Sequence, residues 1–134
     1  MQLDNALYAV VQVAHNFGAV AVVGLPLAAL RYAATDALLR KTYLFTLAAW
    51  LLQVASGFGF GLVSYFVVGE LPQLGGEAFV ALGVKISCAV LSILLLAAEL
   101  LGLLRSLSDK TVLASLAGLG SLALLSAAFL RWFS

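Results

Sequence analysis

Phe79-Val-Ala-Leu-Gly-Val-Lys85-Ile-Ser-Cys-Ala-Val-Leu-Ser92-Ile-Leu-Leu-Leu-Ala-Ala-Glu99 decides the fold. Extended to Leu104, this stretch holds fifteen Leu, Ile, Val or Phe residues. It outruns the ~20 apolar residues that cross a ~30 Å hydrocarbon layer. A charge inside such a run costs about 2.5–3.5 kcal/mol. The apolar residues return about 0.3–0.6 kcal/mol each near the centre, so insertion prevails. Lys85 therefore enters the membrane with the helix, and a buried charge marks a candidate for function.

Three further runs flank it. The four spans read as 5–30, 43–68, 78–104 and 111–133. The chain has 134 residues, 64% of them hydrophobic and 10% charged. Soluble domains carry roughly 25% charged residues. A chain this small cannot bury so much apolar surface on itself, so lipid covers part of it. Backbone groups in lipid must be satisfied within each segment, which makes the spans helices. Short connections make sequential helices antiparallel. The expectation is an all-α integral membrane four-helix bundle, up-down-up-down, forming a single domain over residues 1–134.

The loops carry the orientation signal. Arg31, Arg40 and Lys41 lie in the first connection, and Arg105 and Lys110 in the third. The second runs from Gly69 to Glu77 without a basic residue. The positive-inside rule then places connections one and three in the cytoplasm and both termini outside; the expected location is a cell membrane, with the bacterial inner membrane as the leading expectation. Met1-Gln-Leu-Asp4-Asn5 lacks the basic region of a secretory signal, so the first helix is expected to be retained. Thr35-Asp36 and Ser108-Asp109 read as caps, and Pro72 with Gly75-Gly76 as a break. The two basic connections share Arg, Asp and Lys-Thr in order, which reads either as a relic of hairpin duplication or, more simply, as what capping and loop charge produce without common descent.

Several functions are excluded or left without support. A net charge of +1 gives no electrostatic case for nucleic acid. Phosphate loops, dinucleotide fingerprints, CxxC and HExxH are missing from the sequence. One His and one Cys cannot build a four-ligand zinc site or bis-histidine haem within one chain.

What remains is intramembrane and polar. At ~1.5 Å rise per residue, His15 and Lys85 reach similar depth from the same side of the bilayer. Gln12, His15 and Asn16 share one helix face, and Lys85, Ser92 and Glu99 follow at i, i+7 and i+14. Gly57 and Gly61 repeat at small-xxx-small spacing at that level, as close helix packing or as clearance for a flat ligand. His15 is a candidate metal or haem ligand, its plainer role being a neutral interhelical hydrogen bond. Lys85 is a candidate partner for an anionic group, its plainer role being snorkelling to headgroups. Glu99 reads as an ion-pair partner of Arg31 or Arg105. Cys88 reads as core, or as a second copper ligand beside His15.

These residues resemble a known group. His15-Asn-Phe-Gly18 with Gly24, Arg31, Arg40-Lys41-Thr-Tyr-Leu-Phe, Gly57 and Gly83-Val-Lys85-Ile resemble the small four-helix membrane proteins of the copper-resistance D domain and of the HemJ-type protoporphyrinogen oxidase. The resemblance covers most of helices 1 to 3 and little of helix 4. It implies a haem-linked role for His15 and roles in activity for Lys85 and Arg31. Glu99 stands where the oxidase group carries a histidine, which favours the copper-resistance side of the group. The leading expectation is a haem- or copper-associated membrane protein with cofactor contacts at His15, Gly57 and Gly61 and catalytic roles at Lys85 and Arg31. The alternatives are a non-catalytic subunit of a larger membrane complex and a small oligomeric transporter or proton relay. A homo-oligomer or a membrane complex is the expected assembly.

Overall fold

The computed structural model describes residues 3–32, 35–70 and 73–133. Pro72 lies outside them. Four helices make up the fold: α1 Leu3–Arg31, α2 Asp36–Val68, α3 Gly76–Leu100 and α4 Asp109–Phe133. No strand occurs among the described residues. Each helix is long and apolar enough to cross a membrane. The shortest have 25 residues, about 37 Å at the helical rise. The chain is a multi-pass membrane protein.

The helix ends come from caps rather than from hydropathy. α2 begins at Asp36, well before the apolar run at Tyr43. The Thr35 hydroxyl accepts from the Leu38 N–H at 3.4 Å, and Asp36 occupies the first turn. Arg40 and Lys41 are therefore helical and project from the polar end of a membrane helix. α3 stops at Leu100 although its apolar run continues to Leu104. Gly102 takes φ 75°, and the Gly102 and Leu103 N–H groups bond back to the Glu99 and Ala98 carbonyls. This left-handed glycine termination satisfies carbonyls that would otherwise be orphaned. At the start of α4 the Ser108 hydroxyl accepts from the Thr111 N–H at 3.2 Å.

The helices pack as a ring. α1 lies against α2, α3 against α4, α1 against α4 and α2 against α3, while the diagonal pairs do not touch along their backbones. The α2–α3 seam is the sparsest. Trp50, Leu96, Leu116, Val22 and Val112 fill the centre. Outward, Phe17, Phe58, Phe66 and Phe79 are exposed, the surface that acyl chains cover.

Pro26 lies inside α1 and is buried. Having no N–H, it leaves the Val22 carbonyl without its usual i+4 donor. Gly120 of α4 sits against that carbonyl, where a Cβ would come within 3.0 Å of the Val22 oxygen. The glycine lets α4 approach the freed carbonyl, an approach that Cα–H···O contact favours.

Candidate functional site

His15 and Lys85 meet inside the ring. The Lys85 ammonium Nζ lies 3.0 Å from His15 Nε2. The two residues belong to α1 and α3, a diagonal pair, so the contact spans the interior rather than a surface groove. Both side chains are partly buried. Neither looks outward into lipid alone.

The other imidazole nitrogen is held by α2. His15 Nδ1 lies 2.7 Å from Ser56 Oγ. The Ser56 hydroxyl itself donates to the Leu52 carbonyl at 2.7 Å. Its one proton is thereby spent, so it accepts from Nδ1–H. The network assigns the proton to Nδ1 and leaves Nε2 bare as acceptor for Lys85. Gln53, buried on the same face of α2, donates its amide to the His15 backbone carbonyl. Phe60 meets the imidazole edge to face at 5.5 Å between centroids. Three neighbours therefore fix the ring, two from α2 and one from α3, while Gln53 holds the backbone of the same residue.

Gln53 and Ser56 were not singled out by the sequence reading. A signal exists: Thr42, Thr46, Gln53 and Ser56 are all buried and follow a helical stripe on α2. It is faint in the sequence, because single polar residues are scattered through an apolar run.

The glycines behave differently from the expected packing motif. A Cβ at Gly57 would meet only His15 Cε1, at 4.0 Å, and one at Gly61 would meet nothing within 4 Å. Neither serves close helix approach. Gly57 borders the imidazole, while Gly61 faces open space. Close approach falls instead on Gly18, whose Cβ would come within 2.6 Å of Gln53 Nε2 and 3.3 Å of the Ala49 carbonyl. That is the seam that presses Gln53 and Ser56 against His15.

Arg31 does not join the pair. It is exposed in the last turn of α1, about 24 Å along the helix from His15. Cys88 is buried in the apolar core. Among the described residues no three His, Cys, Asp or Glu side chains cluster as a metal cage.

Glu99 departs from its expected role. It forms no ion pair with Arg31 or Arg105 among the described residues. Arg105 folds over Gly102, with Nε 3.4 Å from where a Cβ would stand. Glu99 instead lines a cleft of about 170 Å³ with Asp36, Arg40, Tyr43 and Asp109. The Tyr43 hydroxyl donates to Asp109 at 2.8 Å, while Glu99 Oε2 is buried with no hydrogen-bond partner among the described residues.

Gln12 and Asn16 share His15's helix but turn outward, with the Gln12 amide donating to Asn16 at 2.8 Å. No family model matches this chain, and the comparisons with curated proteins and with solved structures give no match.

Proposed function

We propose that this chain is an up-down-up-down membrane protein with both termini outside, whose His15–Lys85 pair receives a redox cofactor of the haem type. The carrying observation is the posture of His15. Its Nδ1 is tied to Ser56, and its Nε2 is directed across the bundle interior to a cation. A ligating histidine is usually held this way, with its second nitrogen fixing tautomer and ring orientation. Such a cofactor supplies one-electron redox chemistry when bound.

The donor set fits one axial imidazole and not a copper cage made by this chain alone. Copper would need donors from another chain beside His15. Lys85 covers Nε2 in the free protein. An anionic ligand that draws the Lys85 ammonium to itself also bares Nε2, so charge recognition and ligation are coupled. Gly57 keeps the flank of the ring clear. Arg31 stands too far along α1 to act at this pair, so its role is orientation at the basic end.

The orientation reading rests on the basic connections and on the cleft. The start of α2, the end of α3 and the start of α4 meet there, as an alternating bundle requires. Arg31, Arg40, Lys41, Arg105 and Lys110 then lie on the cytoplasmic side.

A second reading, subunit or homo-oligomer, has its own observation. Gln12 and Asn16 are exposed within a span. Their pairing leaves amide groups that lipid cannot satisfy, which favours a neighbouring helix at this face.

The test is the absorption spectrum of the purified protein. Wild type is expected to show a Soret band that His15→Ala lacks. A wild type with neither that band nor bound copper by mass spectrometry overturns the cofactor reading.

A further inference from the structure

Among the described residues five serine and threonine hydroxyls are buried: Thr42, Thr46, Ser56, Ser92 and Ser126. Four follow the usual course and donate to the carbonyl four residues back. Ser92 does not. It is 0% exposed, and its Oγ has no hydrogen-bond partner among the described residues. Two other buried polar atoms share that condition, Trp50 Nε1 and Glu99 Oε2. All three belong to α2 or α3, the two helices that form the sparsest seam of the ring.

Buried polar atoms without a protein partner are costly, so in native proteins they mark bound water or ions. These three are complementary rather than alike. Indole donates, carboxylate accepts, and hydroxyl does both. Lys85 also has N–H groups beyond the one aimed at His15. On α3 the series Lys85, Ser92, Glu99 advances by about 10.5 Å per step. About three hydrogen-bonded waters span each such gap. The series ends in the cleft, where Asp36, Arg40 and Tyr43 of α2 and Asp109 of α4 face Glu99.

We propose that the α2–α3 seam holds a file of water from the Glu99 cleft to the Lys85–His15 pair, along which protons exchange between that pair and the aqueous phase. A proton enters on Glu99. Each water and the Ser92 hydroxyl accept one proton and release another. The Lys85 ammonium passes one of its protons to the bare His15 Nε2 and takes the arriving proton in its place, and no electron moves. Its use in charge compensation rests on the cofactor reading above, but the file itself does not.

The probe is the indole N–H of Trp50, followed by NMR after transfer of the bilayer-reconstituted full chain into D₂O. Trp132, exposed at the end of α4, is the internal reference. A donor in a dry core exchanges only through unfolding. Trp50 is expected to exchange within about tenfold of the Trp132 rate in wild type, and at least about tenfold more slowly in Ser92→Leu. Protection of Trp50 matching that of the slowest helix-core amides in wild type overturns the proposal. An unchanged rate in a folded Ser92→Leu overturns it too. Should that variant not fold, the wild-type comparison decides alone. Rapid Trp50 exchange in a protein without cofactor bands would retain the file and discard the cofactor reading.

Discussion

His15→Ala is expected to lower the stability of the bundle by about 2–3 kcal/mol, the cost of stranding a charged donor away from water. The substitution removes the acceptor of Lys85 Nζ and the link to Ser56. It leaves an ammonium in an apolar interior. The companion change tells this apart from ordinary loss of packing. Lys85→Met keeps an unbranched side chain, one atom shorter, and needs no acceptor. In the double variant His15→Ala/Lys85→Met most of the lost stability is expected to return. Thermal unfolding of the four proteins in one detergent measures the coupling directly. Additive losses across the cycle would mean that the two side chains do not depend on each other.

Gly18→Val is the second large effect. Even a Cβ at this position meets Gln53 Nε2 at 2.6 Å and the Ala49 carbonyl at 3.3 Å. The amide can swing away, but the carbonyl belongs to the α2 backbone and cannot. Over-packing of this kind costs about 1–3 kcal/mol. The displacement also takes Gln53 from the His15 carbonyl and loosens Ser56 from Nδ1. Gly18→Val is expected to lower stability and to release His15 from its α2 contacts, although residue 18 does not touch the imidazole. Gly61→Ala is the contrast, expected to change neither, since its Cβ enters open space. Equal damage at both positions would contradict the assignment of the tight seam.

Much of this arrangement is legible in the sequence, for reasons that differ by residue. The four spans follow from composition, because no soluble packing accommodates 64% hydrophobic residues in a chain of this size. The Thr35 and Ser108 caps follow from local hydrogen-bond chemistry. Helix ends were misplaced where hydropathy was the guide. Apolar runs report the part of a helix that lies in lipid, whereas the helix ends where its terminal groups are satisfied. Asp36 and Gly102 illustrate both directions of that error.

The meeting of His15 and Lys85 follows from depth, since helical rise is fixed. Their interior contact adds rotation about each helix axis, which a single span does not specify. Rotation is also why the spacing of Gly57 and Gly61 does not mark a close helix approach. Spacing puts both on one face, but which face meets a neighbour is set by the whole ring. The close approaches went to Gly18 and Gly120, each beside a backbone carbonyl of the neighbouring helix. Glu99 was assigned to the nearest arginines by sequence, while the fold of Arg105 over Gly102 left it facing Asp109, Tyr43 and Arg40.

The sole histidine makes the centre directly measurable. In bilayers, protein labelled with ¹³C at histidine and ¹⁵N at lysine Nζ gives a dipolar dephasing signal from any ammonium near the imidazole. With Nζ 3.0 Å from Nε2, strong dephasing of the Cε1 resonance is expected, and its loss in Lys85→Met. Wild-type protein in which that carbon sees no lysine nitrogen would separate the first helix's ring from the third helix's cation, leaving a bundle without a centre.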